Sequence, residues 1–158
     1  MKKKNVLIVD DDPDVLAMLE GLLKKLEYNP YVAANGEEAV RVIDNNKIDV
    51  VVSDLVMPEM NGMELLKRVK SRKGDIPFVM ITGHPSIETA VEAIKKGAYD
   101  YLTKPFQVEE VRIKIDRALE KTGLRRSLRW ANGVIWALIF SIPIWLVLGI
   151  ILASILGD

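Results

Sequence analysis

The first 121 residues alternate between short apolar runs rich in β-branched residues and longer stretches in which apolar residues recur at helical spacing. Three of the short runs, VLIV, VVVS and FVMI, are almost continuously apolar, as in parallel strands that helices cover on both faces. This alternation predicts βα units and therefore an α/β domain with a parallel sheet. The predicted strands are Val6–Val9, Tyr31–Ala33, Val50–Ser53, Phe78–Ile81 and Tyr99–Thr103.

Five helices are predicted between and after these strands, which gives a doubly wound sheet of five strands. The clearest helical face has leucines separated by three or four positions, beginning at Leu16 and ending at Leu26. Pro13, Pro85 and Pro105 stand where helices are predicted to begin, and Gly97 stands where one is predicted to end.

Composition excludes several classes of protein. The chain has no cysteine and a single histidine, His84, so disulfide scaffolds and zinc sites built from cysteine or histidine are excluded. The 22 basic and 22 acidic residues cancel, which disfavours direct nucleic-acid binding through bulk positive charge. A mean hydropathy of +0.14 is high for a chain with 28% charged residues. This indicates that one segment is much more apolar than the rest of the chain.

Acidic and polar side chains follow four of the predicted strands. Asp10, Asp11 and Asp12 follow the first strand, Asp54 the third, Thr82 the fourth and Lys104 the fifth. The carboxyl ends of parallel strands meet at one edge of the sheet, so these side chains are expected to converge there. Clustered carboxylates without sulfur or imidazole favour Mg²⁺, and a lysine with a hydroxyl suits phosphoryl oxygens. The chemistry predicted is phosphoryl transfer to Asp54 as the nucleophile.

Each of these residues taken alone has a simpler explanation. Asp12 precedes Pro13 and is predicted to cap the N-terminus of the first helix. Thr82 alone could be an ordinary turn residue, and Lys104 alone a surface lysine. The occurrence of these acidic, hydroxyl and lysine side chains together at four separate strand ends indicates a functional site.

Four segments resemble the receiver domain of two-component response regulators, the CheY-like family: VLIVDDDP, SDLVMPEMNG, MITG and TKPF. They occur in the family's order and spacing and extend the resemblance over residues 4–121. The segments PEMNGMELL and ITGHPS are most similar to receivers of NtrC-type regulators, which precede AAA+ activator domains. The resemblance implies a flavodoxin-like fold and a phosphoacceptor that is not itself an enzyme, although it assists its own phosphorylation and dephosphorylation.

The resemblance also implies a ligand set for Mg²⁺. Asp54 is the phosphoacceptor, and Asp11 and Asp54 are direct ligands. Asp10 acts mainly through a metal-bound water, and the backbone carbonyl of Val56 completes the protein ligands. The partner implied is a sensor histidine kinase or a phosphotransfer protein.

Three further roles follow from the resemblance. Lys104 pairs with phosphoryl oxygens, Thr82 moves toward them on phosphorylation, and Tyr101 matches an aromatic switch position whose rotamer follows Thr82. A reading of Tyr101 as one more core aromatic stays open. The Lys104–Pro105 peptide bond is expected to be cis.

Three loop residues complete the expectations for the site. The apolar Val56 side chain cannot orient an attacking water, so slow self-dephosphorylation is predicted. His84, two residues after Thr82, is read as an exposed loop residue. Gly62 is expected to be required for its backbone conformation.

Residues 130–157 contain 28 consecutive residues without a charge, enough for one helix across a bilayer. Arg125, Arg126 and Arg129 precede this segment, and Asp158 alone follows it. The positive-inside rule then places the receiver in the cytoplasm and the C-terminus outside, with Trp130 near the cytoplasmic interface. The predicted organisation is a receiver domain over residues 1–121, a basic juxtamembrane connector over 122–129 and a transmembrane helix over 130–158.

Several functions of this apolar segment remain open from the sequence. It could anchor a single-domain receiver near a membrane-bound kinase, or pass phosphorylation-dependent changes through residues 122–129. Small residues at every fourth position, such as Gly149 and Ala153, suggest a homo-oligomer through the helix, although small residues are common in membrane helices. The alternative is a soluble or engineered receiver fusion whose apolar tail drives oligomerisation.

Overall fold

A computed structural model describes residues 3–120 of the chain. Strands and helices alternate through this part of the chain, with one helix after each strand. The elements are β1 (Asn5–Val9), α1 (Pro13–Lys25), β2 (Asn29–Ala33), α2 (Gly36–Asn45), β3 (Val50–Asp54), α3 (Gly62–Lys73), β4 (Phe78–Thr82), α4 (Ile87–Lys95), β5 (Asp100–Thr103) and α5 (helical over 108–120).

The five strands form one parallel sheet in the order β2-β1-β3-β4-β5. This order confirms the predicted five-stranded, doubly wound, flavodoxin-like sheet. The order reverses at β1, so β1 and β3 are neighbours at the point where such sheets place their ligands. Asp10 and Asp54 stand at the carboxyl ends of these two strands.

Hydrophobic clusters lie on both faces of the sheet, because successive side chains of each strand point to opposite faces. One cluster contains Leu7 and Val9 of β1 with buried residues of α2, α3 and α4. The other contains Val6 and Ile8 with buried residues of α1 and α5. The central strands β1, β3 and β4 are therefore covered on both sides, which explains their continuous apolar runs.

Three prolines were predicted to stand at helix starts, and one of them does. Pro13 is the first residue of α1, and Asp12 is its N-cap, with a side chain that accepts hydrogen bonds from Asp14 N at 2.8 Å and Val15 N at 3.4 Å. The predictions for Pro85 and Pro105 were wrong: Ser86 caps α4, and α5 begins at residue 108. Gly97 follows the C-cap of α4 with a φ of 98°, as predicted for a helix end.

Within residues 3–120, no helix combines the length and apolar character needed to cross a membrane. The predicted connector and the predicted transmembrane helix lie outside these described residues, and so do Arg125, Arg126, Arg129 and Trp130.

Candidate functional site

Three acidic residues come together at the carboxyl edge of the sheet, as predicted. Asp10 follows β1 and Asp54 ends β3; both are buried, whereas Asp11 is exposed. One carboxylate oxygen from each of Asp10, Asp11 and Asp54 lies within 4.8 Å of the others. The strand ends thus place three hard oxygen donors close enough together to share one cation.

Lys104 joins the two buried carboxylates from the end of β5. Its Nζ donates to Asp10 Oδ2 at 2.7 Å and to Asp54 Oδ2 at 3.3 Å. The backbone N–H of Lys104 donates to Thr82 O at 2.7 Å, which ties this residue to the end of β4. The peptide bond that follows, Lys104–Pro105, is cis, as expected.

The two buried carboxylates are oriented in the same way. Asp10 Oδ1 accepts from Asp12 N at 3.0 Å, and Asp54 Oδ1 accepts from Leu55 N at 2.8 Å. Each carboxylate therefore gives one oxygen to a backbone N–H and the other to Lys104. This arrangement fixes the Oδ2 atom of Asp54 beside a positive charge before any substrate is bound.

Burial and charge act against each other at Asp54. Burial is the largest influence and raises the pKa of Asp54 above its ordinary value of 3.8; attraction to Lys104 opposes this, and repulsion from Asp10 adds to it. Burial also lowers the pKa of Lys104, but the hydrogen bond to Asp10 and the charges of both carboxylates outweigh it, so the net direction is upward. Lys104 thus stays protonated while Asp54 is a less acidic carboxyl than usual.

We expect Asp54→Asn to raise the free energy of unfolding of the metal-free protein at pH 7. A raised pKa means that the folded chain holds the proton of Asp54 more tightly than the unfolded chain, so stability is lost as pH rises through the window above 3.8. The substitution removes that loss, and Lys104 keeps its 2.7 Å bond to Asp10. Urea denaturation should show a gain at pH 7 that shrinks as the pH falls toward 4.

The exposed Asp44, which pairs with Arg72, supplies the control for this measurement. Asp44→Asn should change stability by no more than about 1 kcal/mol, because exposed ion pairs contribute little. A loss of stability in Asp54→Asn at pH 7 would show instead that attraction to Lys104 outweighs the burial of the carboxylate.

The donor set fits a magnesium ion. Three carboxylates and one ammonium leave a formal charge of −2 on this cluster, which a divalent cation balances. The donors are all oxygen, as Mg²⁺ prefers. The Val56 carbonyl stays a predicted ligand; Val56 lies two residues beyond Asp54, and its side chain is 59% exposed.

The other predicted residues lie around β4 and β5. Thr82 is fully buried at the end of β4, and its Oγ1 accepts from His84 N at 3.1 Å. The rest of His84 is exposed, in agreement with its interpretation as a loop residue. Tyr101 is half-buried against the core cluster on one face of the sheet, and its hydroxyl lies 3.1 Å from Thr89 Oγ1. Tyr101 is therefore both a core aromatic and a hydrogen-bonding residue.

Gly62 approaches the phosphoacceptor strand more closely than the sequence suggested. Its N–H donates to Leu55 O at 2.9 Å, and a Cβ at this position would lie 2.3 Å from Asp54 O. The requirement for glycine here is space, not an unusual backbone conformation, which corrects the reason predicted for it. Only the position of this glycine in the loop after Asp54 signalled it in the sequence.

We expect Gly62→Ala to lower the free energy of unfolding by about 1–3 kcal/mol, since the new methyl group meets backbone atoms that cannot move aside freely. Gly21→Ala is the matched control. Gly21 lies inside α1 with nothing within 4 Å of its Cβ position, so alanine there should stabilise by about 0.5–1 kcal/mol. Urea denaturation of both variants would measure the contrast; equal effects would contradict the close approach.

The chain is similar to known proteins in sequence and in fold. The family model of the response regulator receiver domain matches residues 6–116. The chain belongs to this family. Similar proteins include the transcriptional regulatory protein GlrR of Escherichia coli K12, which is 36% identical over 134 residues, covering 85% of this chain and 30% of GlrR. The nitrogen assimilation regulatory protein NtrX of Azorhizobium caulinodans is 38% identical over 127 residues, covering 79% of this chain and 28% of NtrX.

A crystal structure of a response regulator receiver domain from Clostridium thermocellum is similar in fold. It has a TM-score of 0.74 at 30% identity and covers 77% of this chain and 98% of its own. The chain spans less than a third of the length of the curated relatives it matches. The similarity therefore concerns the part of each relative that aligns with the receiver-domain region of this chain.

Proposed function

We propose that this receiver is a Mg²⁺-dependent phosphoacceptor that takes a phosphoryl group on Asp54 from a sensor histidine kinase or a phosphotransfer protein. The observation that carries this proposal is the position of Asp54 Oδ2, 3.3 Å from Lys104 Nζ and beside two further carboxylates. A family match over residues 6–116 supports it.

In the proposed reaction, Asp54 Oδ2 attacks the phosphorus of a phosphohistidine. The new bond is O–P, the N–P bond breaks, and the imidazole leaves with the electron pair of that bond. Lys104 stays protonated and donates to the oxygens of the transferred group, where negative charge is held. Leu55 N–H keeps Asp54 Oδ1 engaged, so that Oδ2 is the oxygen presented for attack.

Asp10, Asp11 and Asp54, with the carbonyl of Val56, are the residues that would hold Mg²⁺ in this proposal. When bound, the ion supplies positive charge to phosphoryl oxygens that would otherwise be repelled by the carboxylates. The acceptor carboxylate is consumed in the step, so we class the receiver as a phosphoacceptor and not as an enzyme. With a net charge of zero, the chain has no charge-based reason to bind nucleic acid directly.

A small phosphodonor provides the test. The purified chain is incubated with radiolabelled acetyl phosphate, with Mg²⁺ or with excess EDTA, and the label is then challenged with hydroxylamine, which cleaves acyl phosphates. We expect no more than one phosphoryl group per chain, dependence on Mg²⁺ and release by hydroxylamine. Label that forms equally in EDTA, or that resists hydroxylamine, would contradict the proposal.

We also propose that residues 130–157 tether the receiver to the cytoplasmic side of a membrane as a single-pass segment. The support is sequence-based: 28 uncharged residues follow the three arginines of the connector. A tether would raise the concentration of the receiver near a membrane-bound kinase. Oligomerisation through the small residues of this segment is a further part of the proposal.

We expect phosphorylated Asp54 to hydrolyse slowly, and Val56→Asn to shorten its half-life by up to about tenfold, equivalent to ~1.4 kcal/mol of barrier. Val56 is exposed, lies two residues beyond Asp54 in the chain, and has no side-chain group that orients water. Decay of label after removal of the donor measures this half-life. The exposed Val32 on the edge strand β2 offers a control, since Val32→Asn should leave decay unchanged. Decay in wild type as fast as in Val56→Asn would refute the expectation.

A further inference from the structure

Three hydroxyl groups meet at the first turn of α4. Ser86 is the N-cap, and its Oγ accepts from Thr89 N at 3.1 Å. Thr89 Oγ1 lies 3.1 Å from the backbone carbonyl oxygen of Ser86 and 3.1 Å from the hydroxyl of Tyr101. All three residues are half-buried, so these contacts are partly shielded from water.

The Thr89 hydroxyl contacts groups of both α4 and β5. A threonine hydroxyl has one proton, and the backbone oxygen of Ser86 is placed to accept it. Ser86 Oγ and the Tyr101 hydroxyl each lie 3.1 Å from Thr89 Oγ1, and in each of these two contacts the geometry allows either partner to donate. The phenol of β5 is thereby joined to the capping residue of α4, and Thr89 is the residue that joins them.

The other end of the β4–α4 loop is held by Thr82. Its Oγ1 accepts from His84 N at 3.1 Å, and the loop then runs only through residue 85 to the N-cap. A displacement of the Thr82 hydroxyl toward a phosphoryl group either breaks the His84 bond or carries residues 83–85 with it. If the loop moves, the first turn of α4 is pulled away from Tyr101, which the sheet holds in place beside Met80.

We propose that Thr89 is a positioning residue whose bond to Tyr101 stabilises the unphosphorylated arrangement of the β4–α4 loop. This inference rests on the proposed phosphorylation of Asp54. The bond fixes the start of α4 against β5, and a phosphoryl group must overcome it to draw the loop inward. The loss of one such hydrogen bond should shift this equilibrium by roughly two- to tenfold.

The test measures the dissociation constant of beryllium fluoride, which forms a tetrahedral phosphoryl-like group on a carboxylate. Calorimetry on the full chain with Mg²⁺ compares wild type, Thr89→Val, Tyr101→Phe and the double variant. We expect each single variant to bind roughly two- to tenfold more tightly. The double variant should bind no more tightly than Thr89→Val, because the bond to Tyr101 is already lost in that variant. Thr89→Ser keeps the hydroxyl and should restore wild-type affinity.

The outcomes separate this inference from the function on which it rests. Unchanged affinity in Thr89→Val and Tyr101→Phe, additive effects, or a Thr89→Ser variant that behaves like Thr89→Val would overturn the inference alone. A wild-type chain that binds no beryllium fluoride and accepts no phosphoryl group would overturn the proposed function first. Tyr101→Phe removes the same bond from the other side, so the test does not depend on the folding of Thr89→Val.

Discussion

Asp54→Ala is expected to reduce phosphoryl label from acetyl phosphate to background while leaving the fold intact. The substitution removes the attacking Oδ2 atom, which Lys104 holds at 3.3 Å, and one of the three carboxylates of the cation cluster. Asp10 is the only other buried acid among residues 3–120, and its Oδ2 atom is held by Lys104 at 2.7 Å, a shorter contact than the 3.3 Å between Lys104 and Asp54. Scintillation counting of the purified chain, with circular dichroism for the fold, measures the effect.

Asp44→Ala is the matched control for this experiment. Asp44 is an exposed acid of α2 whose carboxylate pairs with Arg72 at 2.6 Å, on a helix that contributes nothing to the cation cluster. Its removal should leave the label at the wild-type level. Label that persists in Asp54→Ala would assign the phosphoryl group to another residue and overturn the role of Asp54.

The central strands were predictable because burial on both faces leaves a continuous apolar run. Predictions for β1, β3 and β4 agree with the observed strands to within one residue at each end. Edge strand β2 begins two residues earlier than predicted and includes Pro30, which an edge position tolerates. Periodicity could not reveal this start, since the half-exposed residues of β2 carry no strong pattern.

The exact residue at which α4 begins depends on a side-chain cap, which a proline in the sequence does not reveal. Ser86 caps α4 through Thr89 N, so this helix begins two residues after Pro85. Pro105 lies in a cis peptide bond, and the chain needs two further residues before α5 begins at 108. At α4 the proline therefore indicated the neighbourhood of the helix start, whereas the Ser86 hydroxyl determined its position.

The site was predictable where strand ends determine it and unpredictable where loops fold back onto it. The convergence of Asp10, Asp54 and Lys104 follows from a parallel sheet with its strands in register. The close approach of Gly62 to Asp54 O and the bond between Thr89 and Tyr101 each depend on the path of a loop or the angle of a helix. Neither quantity has a periodic signal in the sequence.

Deletion of residues 130–158 is expected to move the protein from the membrane fraction to the supernatant. Residues 134–156 contain 15 Leu, Ile, Val or Phe, which at −0.3 to −0.6 kcal/mol each favour insertion by about −7 kcal/mol. After carbonate extraction of cell membranes, the full chain should stay in the pellet, whereas a chain of residues 1–129 should be released. Flotation on a density gradient then separates lipid association from apolar oligomerisation.

The direction of insertion can be read from single cysteines, because the natural chain has none. A membrane-impermeant thiol reagent applied to intact cells should label Asp158→Cys and should not label Ser71→Cys, which lies on the exposed surface of α3 in the receiver. In the proposed topology Arg125, Arg126 and Arg129 set the orientation, so their joint replacement by glutamine should weaken the difference between the two labels. A full chain that sediments under flotation instead of rising with lipid would favour oligomerisation through the apolar segment without a bilayer. Labelling of Ser71→Cys in intact cells would place the receiver on the opposite side from the kinase domain that it is proposed to meet.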